Sequence, residues 1–187
     1  MVLQAQNLLQ ARRKDPHRAG EMELSDQVSH IIWQRVTKFD SRTAAIADRH
    51  YSRRKVGSTQ FMPPGETIVL YYKLGAVFGW WRPHPNSEIS SMNGLDGWTC
   101  TIFRNESPML SSNLILEAET YIDAATCGPD GLLTYVWDSQ VKSCNPGYCF
   151  KCAGWTVKGR SADKRKTLLQ KLLTTMAQPQ PPVQRHT

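Results

Sequence analysis

The segment at residues 145–155, Asn-Pro-Gly-Tyr-Cys-Phe-Lys-Cys-Ala-Gly-Trp, constrains the fold more than any other stretch of this sequence. Pro146 fixes its own φ angle, and Gly147 tolerates backbone conformations denied to other residues, so the segment begins with a tight turn. A short helix with a small apolar face follows, and Gly154 is well placed to end it. The segment therefore predicts a turn, a short helix and the entry to a strand.

Hydrophobic periodicity along the rest of the chain predicts a mixed α/β or α+β domain. Runs rich in β-branched and aromatic residues indicate strands, and apolar residues three and four positions apart indicate helices. The predicted strands cover residues 28–36, 67–74, 76–82, 98–104, 132–137 and 155–160; the predicted helices cover residues 42–49 with Asp40 or Ser41 as cap, 112–126 with Ser111 or Ser112 as cap, and 163–176.

Shifts in composition divide the chain into an arm, one domain and a tail. Residues 1–25 are polar and weakly patterned, and residues 178–187 are rich in Pro and Gln, so we expect a flexible arm and a disordered tail. Residues 26–177 form the single folded domain, which is long enough to bury a core. Its loop at residues 52–65 is basic, contains Gly and Pro, and is long enough to suggest a functional role.

The sequence is basic, with a formal net charge of +7 and an isoelectric point near 9.3. Lys and Arg that neutralise phosphates release counterions, so this charge favours a nucleic acid partner over a role in solubility alone. No apolar run is long enough to span a bilayer, and the first residues do not resemble a secretion signal. We therefore expect a cytoplasmic protein that does not enter a membrane.

The five cysteines raise the question of a metal site. In a cytoplasmic chain they are expected to be reduced; Cys149 and Cys152 lie about one helical turn apart, with Cys144 nearby. A structural zinc site needs about four ligands, and no second pair of Cys or His residues at ligand spacing completes the set. Inward packing of one or both cysteines is the favoured interpretation.

Two pairs of side chains at predicted element boundaries are candidates for chemistry. His50 and Tyr51 follow the first helix beside several arginines, where they would serve as a base or as metal ligands. Asp138 ends the predicted central strand and Tyr148 starts the short helix, and ligands of open α/β sheets gather beyond the carboxyl ends of strands. Helix capping, a turn and core packing explain the same four residues without any function.

Arg104 and the serines that follow it suggest an anion site. Arg104 ends a predicted strand, and its guanidinium fork could bind a phosphate or a carboxylate. Ser111 and Ser112 begin the next helix, whose free amide groups would face a bound cofactor. A salt bridge from Arg104 to Glu106 and simple helix capping by the serines are the alternatives.

Together these residues resemble the Mom family of phage DNA-modification proteins, a divergent branch of the GNAT superfamily of N-acetyltransferases. That family has His-Tyr after its first helix, Arg after the strand before its major helix, and Asp and Tyr on either side of an Asn-Pro-Gly turn. The order strand, helix, three strands, helix, strand, short helix, strand is also that of the superfamily, and the resemblance covers about residues 28–162. The matching residues are His50, Tyr51, Arg104, Asp138 and Tyr148.

The resemblance implies a single GNAT-like domain with a mixed, mostly antiparallel central sheet flanked by helices. It implies a transferase that modifies adenine N6 in DNA with a carbamoylmethyl-like group and protects phage DNA from restriction in the bacterial host. Arg104 would hold the donor or a phosphate. The reaction centre would be lined by His50, Tyr51, Asp138 and Tyr148.

These four side chains form a hard N/O donor set that suits iron, and the resemblance also points to iron. Without a metal, Asp138 or His50 would act as the base on the adenine amine, with Tyr148 as the acid.

The segment before the major helix argues against ordinary acetyl-CoA binding. GNAT enzymes carry there a glycine-containing motif whose amides cradle pyrophosphate, whereas residues 104–113 here contain no glycine. Pro108 also removes one amide donor. The main alternative is nevertheless an acetyl-CoA-dependent N-acetyltransferase that acts on a small-molecule or protein amine. The second alternative is a zinc-containing DNA-binding protein without enzyme activity.

Modification of adenine N6 in duplex DNA requires base flipping or a melted strand. We expect Arg53, Arg54 and Lys55 in the basic loop to bind DNA phosphates. Adjacent strand residues face opposite sides of a sheet, so only one of Trp80 and Trp81 can stack on the target base, and Trp81 is the candidate. The group donor is left unknown by the sequence, and both a monomer and a homodimer stay open.

Overall fold

The computed structural model describes residues 32–85 and 94–173, in which strands and short helices follow one another along the chain. Predictions for the arm at residues 1–25, for residues 28–31 of the first strand and for the tail at residues 178–187 fall outside the described residues. The α-helices are α1 (Ser41–Ala47), α2 (Ser111–Glu119) and α3 (Tyr148–Cys152). The strands are β1 (Gln34–Val36), β2 (Glu66–Tyr72), β3 (Ala76–Arg82), β4 (Trp98–Asn105), β5 (Leu132–Trp137), β6 (Thr156–Arg160) and β7 (Lys166–Lys171).

The seven strands form one sheet in the order β1-β2-β3-β4-β5-β7-β6. Every neighbouring pair is antiparallel except β4 and β5, which are parallel and are joined by a crossover through α2. The mixed α/β class predicted from the sequence pattern and the mostly antiparallel sheet implied by the resemblance are therefore confirmed. Among the described residues, no helix combines the length and the apolar character needed to cross a bilayer.

The centre of the sheet opens where β4 and β5 separate. These strands pair only from Trp98 opposite Leu132 to Cys100 opposite Thr134, although both continue beyond those positions. Directly after Cys100, the last residue of β4 that pairs with β5, β4 also carries a bulge against β3. Trp80 pairs with Cys100, whereas the preceding Gly79 pairs with Ile102. A bulge inserts an extra residue, here Thr101, and bends the strand away from its neighbour. Thr101 therefore lies at the mouth of an opening in the sheet.

Both faces of the sheet are buried, and alternation along β3 divides its residues between them. Phe78 and Trp80 belong to a large core cluster that packs against α2 and α3, whereas Val77 and Trp81 belong to a smaller cluster beneath α1. Buried indoles need a hydrogen-bond acceptor. Trp80 Nε1 donates to the carbonyl of Ala118 in α2 at 2.9 Å. The helices thus cover the sheet on both sides and leave its open centre as the place for a site.

The predicted helix at residues 163–176 is wrong, because residues 166–171 form strand β7. Leucines at 168, 169 and 172 have a spacing compatible with a helix, but the gap between β5 and β6 is filled by this segment, which pairs with both. Leu168 and Leu169 are 5% and 0% exposed, and two consecutive buried side chains are typical of a strand covered on both faces. Leu172 is 64% exposed instead of lying on a buried helix face. Tertiary pairing has overridden local helix propensity.

The boundaries of α2 also differ from the prediction. The helix ends at Glu119 rather than Thr126, and a separate 3-10 turn occupies Ala124–Thr126. Its N-cap is Leu110, which makes no side-chain cap hydrogen bond, so the predicted capping by Ser111 or Ser112 is wrong. In α1, by contrast, Asp40 accepts hydrogen bonds from the amides of Arg42 and Thr43, which confirms the predicted cap.

The turn that opens residues 145–155 has the predicted form. Gly147 adopts φ +73, and a Cβ atom added there would lie 2.4 Å from Leu169 Cδ1, so the turn packs directly on β7. Helix α3 follows, and Gly154 at φ +87 ends it before β6. The most constraining sequence feature therefore fixes how α3 lies over the open part of the sheet.

Candidate functional site

A cavity of about 440 Å³ lies beside the opening between β4 and β5. The end of α1 supplies His50 and Tyr51 to its wall, and β5 supplies Tyr135 and Trp137. The loop at residues 52–65 and the β6–β7 connection close the remaining sides, with Arg54 and Phe61 from the former and Ser161 and Lys166 from the latter. A narrower recess of about 40 Å³ continues from His50 and Tyr51 towards Phe150 between the two separated strands. Aromatic rings therefore line a chamber that has a cation on each of two opposing segments.

Arg53 holds the loop at residues 52–65 in place. Its Nε donates to Asp48 Oδ1 at 2.6 Å, its Nη1 donates to the carbonyl of Gln60 at 2.9 Å, and its Nη2 donates to the carbonyl of Ser58. With only 8% of its side chain exposed, Arg53 serves the loop and not a phosphate. Its neighbours Arg54 and Lys55 are exposed and make no ion pair within the described residues.

The same loop covers a second cavity of about 390 Å³, which Arg54 and Lys55 also line. Arg54, Phe61 and Thr101 are shared between the two cavities, so the loop forms a common wall. Of the three predicted phosphate ligands, the structure leaves Arg54 and Lys55 accessible to an anion.

His50 is held as a neutral ring. The backbone amide of Ser52 donates to His50 Nδ1 at 3.2 Å, and the hydroxyl of Ser52 lies 2.7 Å from the same nitrogen. Since an amide can only donate, Nδ1 is an acceptor and the proton of the neutral ring lies on Nε2. Burial, and to a lesser extent the positive charge of Arg104, lower the pKa of His50 to about 4. At neutral pH His50 therefore offers an N–H group rather than a free basic nitrogen.

Tyr51 packs against His50 and reaches across to β5. The two ring centres are 4.2 Å apart, and the Tyr51 hydroxyl is hydrogen-bonded to the backbone of Trp137. Although 36% of Tyr51 is exposed, desolvation around its hydroxyl raises the pKa of the phenol. Tyr51 is consequently protonated at neutral pH and bridges the end of α1 to the far strand of the opening.

Arg104 belongs to an ion-pair network at the end of β4. Its Nε donates to Glu106 Oε1 at 2.5 Å, and Arg49 Nη2 donates to Glu106 Oε2 at 2.5 Å. Arg104 Nη1 also donates to the carbonyl of Arg49. Hydrogen bonds from Arg49 and Arg104 lower the pKa of Glu106 to about 2. Arg104 thus makes the salt bridge that the sequence offered as the alternative to an anion site, and it ties β4 to the end of α1.

Asp138 belongs to a second network, at the end of β5. Its Oδ1 accepts from the amide of Thr167 at 3.1 Å and from the hydroxyl of Thr167 at 2.8 Å, and its Oδ2 accepts from Arg160 Nη2 at 2.5 Å. Burial opposes ionisation, but these hydrogen bonds outweigh it and lower the pKa of Asp138. Asp138 therefore joins β5 to β7 and β6; it does not line the cavity, but its charge is close enough to contribute to the raised pKa of Tyr51.

Tyr148 lies on the outside of α3. It is 60% exposed, it does not line the cavity, and its hydroxyl bonds to Cys152, which raises the pKa of Tyr148. Of the four residues predicted for the reaction centre, His50 and Tyr51 line the cavity, Asp138 lies close enough to Tyr51 to influence its pKa, and Tyr148 lies on the outside of α3.

The four predicted iron ligands make other contacts in this structure. Asp138 is hydrogen-bonded to Arg160 and Thr167, and Tyr148 lies outside the cavity that holds His50 and Tyr51. Within residues 32–85 and 94–173, no three side chains of His, Cys, Asp or Glu are grouped closely enough to hold a metal ion. The iron that the resemblance suggests stays a prediction, and Cys144, Cys149 and Cys152 form no such group.

The predicted anion site before α2 is occupied by the protein itself. Asn105 Nδ2 donates to the carbonyl of Met109 at 2.8 Å and to Ser111 Oγ at 3.1 Å. Asn105 Oδ1 accepts from the amide and the hydroxyl of Ser107. One asparagine therefore organises this loop, and Ser111 is committed to it; Ser112 is only partly exposed.

The tryptophans predicted to stack on a base are buried. Trp81 is 3% exposed and donates from Nε1 to the carbonyl of Pro64 at 2.8 Å, and Trp80 is fully buried. Neither ring has a face free for a base. Trp137, Phe61 and Lys166, which the sequence did not single out, line the cavity instead. The sequence signal for Trp137 was its position immediately before Asp138, at the end of the predicted strand.

Comparison of the chain with protein-family models, with curated proteins and with solved structures gives no significant match.

Proposed function

We propose that this protein is a transferase that modifies the N6 amine of adenine in DNA. The observation that carries the proposal is the cavity between the two separated strands, where His50 and Tyr51 meet a wall of aromatic rings and two cations. Its volume of about 440 Å³ lies within the range of small-molecule sites and accommodates one planar base. Because adenine N6 is inaccessible within duplex DNA, the target nucleotide enters this cavity unstacked from its neighbours.

The aromatic lining suits a nucleobase more than an aliphatic amine. Tyr135 and Trp137 come from β5 and Phe61 comes from the opposite loop, so a planar ring can be covered on its faces. Arg54 from the loop and Lys166 from β7 also line the cavity and attract the phosphates on either side of an extruded base. Aromatic faces with flanking cations are the combination that single-stranded nucleic acid requires.

The order of elements supports the same family of enzymes. The strand, helix, three strands, helix, strand, short helix and strand expected of the GNAT superfamily occur in that order, followed by β7. This order equally suits the alternative, an acetyl-CoA-dependent N-acetyltransferase. Asn105 and the absence of glycine in the loop before α2 favour a donor other than acetyl-CoA.

The protonation states of His50 and Tyr51 define what they contribute. Both are neutral at pH 7, since the pKa of His50 is about 4 and the pKa of Tyr51 is raised. His50 Nε2–H is a fixed donor, oriented through Nδ1 by Ser52. A neutral donor can hold an acceptor atom of the base or polarise a carbonyl of the group donor. The Tyr51 hydroxyl is the candidate for proton transfer during attack by the amine.

Mass spectrometry of DNA from cells that express the chain tests the proposal. We expect a new deoxyadenosine species in nucleoside digests of the recovered plasmid, and its mass identifies the group that is added. Tyr51→Phe removes one hydroxyl from the cavity and should reduce the yield of this species about 100-fold, within the usual range for loss of a proton-transfer group.

Tyr148→Phe is the matched control, because it removes the same hydroxyl from an exposed helix position outside the cavity. It should leave the yield unchanged. Loss of the adduct with Tyr148→Phe and not with Tyr51→Phe would move the reaction centre to α3. Unmodified DNA from folded protein, together with binding of acetyl-CoA, would replace the proposal with the acetyltransferase.

A further inference from the structure

The connection between β6 and β7 lies at the cavity and is strongly basic. Lys164, Arg165 and Lys166 follow one another there, with Asp163 as the neighbouring acid. Arg165 pairs with Asp163 at 2.9 Å, whereas Lys164 and Lys166 make no ion pair within the described residues. Two positive charges of this turn are thus left without a counter-charge from the described part of the chain.

Lys166 is directed to the aromatic wall of the cavity. Its Nζ lies 5.5 Å from the centre of the Trp137 ring, and the guanidinium of Arg165 lies 5.9 Å from the same centre. Lys166 and Trp137 both line the cavity. A phosphate next to a base that contacts Trp137 would therefore find an ammonium group within reach.

The turn is rigid enough to present these charges. Lys166 donates from its amide to Ser161 Oγ at 3.0 Å, and the amide of Ser161 donates back to the carbonyl of Lys166 at 2.9 Å. Arg160, itself fixed by Asp138, donates from Nη2 to the carbonyl of Lys164 at 2.7 Å. Lys164 adopts φ +58, a left-handed conformation that few residues other than glycine adopt. Lys164 thus holds a left-handed conformation at an exposed position.

Across the opening from β7, the loop at residues 52–65 packs on β3 and β4; its Arg54 lines the same cavity, and the adjacent Lys55 lines the neighbouring one. They too are exposed and lack a carboxylate partner within the described residues. A nucleic acid strand that delivers one base to the cavity continues in both directions from that base. On either side of that base, the strand then passes two positively charged side chains, which complement the negative charge of its phosphates.

We propose that the β6–β7 turn is the second of two basic jaws that grip the backbone of a single DNA strand on either side of the modified nucleotide. The first jaw is Arg54 and Lys55, and the second is Lys164 and Lys166. This inference rests on the proposed function, since it names the surface that holds the substrate of that reaction. Trp137 lies between the jaws and takes the stacking role that the sequence assigned to Trp81.

Fluorescence anisotropy with a labelled 20-nucleotide single-stranded DNA, titrated with the full chain at several salt concentrations, tests the second jaw. Lys164→Asn/Lys166→Gln removes both charges, and Asn tolerates the left-handed backbone at position 164. Loss of two phosphate contacts should weaken binding at least tenfold at low salt. The slope of log K against log salt should fall by about 1.4, because each contact with a single strand contributes about 0.7.

Lys38→Gln/Lys73→Gln changes the net charge equally at positions that do not line either cavity, and it serves as the control. If the control weakens binding and lowers the slope as much as the jaw variant, only net charge matters and the inference is overturned. It is also overturned if the jaw variant is folded by circular dichroism and binds with the wild-type slope.

Plasmid modification by the wild-type chain distinguishes failure of this inference from failure of the proposed function. If the plasmid is modified but the jaw variant keeps the wild-type slope, the inference about the second jaw is overturned and the proposed function stands. If the wild-type chain neither binds the DNA nor modifies the plasmid, both are overturned.

Discussion

Charged and polar side chains of this protein fall into two groups, one that braces the sheet and one that faces the cavity. The braces are networks in which opposite charges meet: Arg104 with Glu106 and Arg49, Asp138 with Arg160, and Glu119 with Lys171. The cavity group consists of His50 and Tyr51, both neutral, and of Arg54 and Lys166, which have no carboxylate partner within the described residues.

The difference between the groups separates folding from function. A charge satisfied inside the protein contributes to the free energy of unfolding but has little left to offer a ligand. A cation without a partner contributes little to stability and is available to a phosphate. Two arginines illustrate this difference: Arg104 is paired with Glu106 at the end of β4, whereas Arg54 lines the cavity. Brace variants should therefore lose stability, and cavity variants should lose activity.

The brace around Glu119 should show the largest effect on stability. Glu119 is 8% exposed, and it accepts from Lys171 Nζ at 2.5 Å and from Trp155 Nε1 at 2.7 Å. Glu119→Ala leaves the buried Trp155 Nε1 without this acceptor and removes the carboxylate from the partly exposed Lys171, which keeps the carbonyl of Ala153. We therefore expect a loss of about 2–3 kcal/mol in the free energy of unfolding. Urea denaturation followed by tryptophan fluorescence measures it. Asn113→Ala, at an exposed position of the same helix, should change stability by less than about 0.5 kcal/mol.

Asp138→Asn distinguishes a brace from a reaction centre. Loss of the charged hydrogen bonds to Arg160 and Thr167 should lower the free energy of unfolding by about 1–2 kcal/mol. DNA modification per folded molecule should persist. Asp163→Asn removes a carboxylate from an exposed pair and should move the denaturation midpoint less than Asp138→Asn does. Unaltered stability of Asp138→Asn with complete loss of modification would place Asp138 in the reaction centre after all.

His50 is the cavity residue whose protonation is linked to folding. Its pKa falls from an unfolded value near 6.5 to about 4 in the folded protein, so the unfolded chain binds the proton more tightly. Stability attributable to His50 is complete above pH 6.5 and decreases as pH falls towards 4. Allowing for its partial exposure, we expect a loss of roughly 1 kcal/mol over this range.

Urea midpoints between pH 7 and pH 4 measure this loss. His50→Gln should flatten the profile over that interval. The steeper loss below pH 4 should persist in this variant, because it arises from carboxylates such as Glu106, whose pKa is lowered to about 2. An identical slope in both proteins above pH 4 would show that His50 is not desolvated in solution.

Most of the sheet was predictable because its strands carry their own signal. The run Leu132–Trp137 is continuously apolar, as a central strand buried on both faces should be, and Gly75 at φ +109 marks the turn between β2 and β3. Strand β7 was not predictable from the segment alone. Its Lys, Leu and Gln residues favour a helix, and only the vacant edges of β5 and β6 make it a strand.

The site was predictable where local position alone determines it. His50 and Tyr51 stand at a helix end whose cap and length the sequence indicates, and the structure brings both into the cavity. Lys166 belongs to β7, which the sequence predicted as a helix, so the position of Lys166 at the cavity could not be predicted. Asp138 and Arg104 lie at strand ends as expected, and the salt bridge of Arg104 with Glu106 is one of the alternatives that the sequence offered. The partner of Asp138, Arg160, approaches through tertiary structure that sequence spacing does not reveal.

The place of β7 between β5 and β6 has a consequence for the order in which the protein is built. Strand β6 pairs with β7 and with no other described strand, so it cannot join the sheet until the segment that follows it has been synthesised. Pairing of distant segments slows folding because loop closure must precede the contacts that reward it. During synthesis, Tyr135 and Trp137 of β5 leave the ribosome before Ser161 and Lys166, the other cavity residues that lie beyond them in the sequence. The cavity is therefore among the last parts of the domain to be completed, and nascent chains expose Trp137 until then.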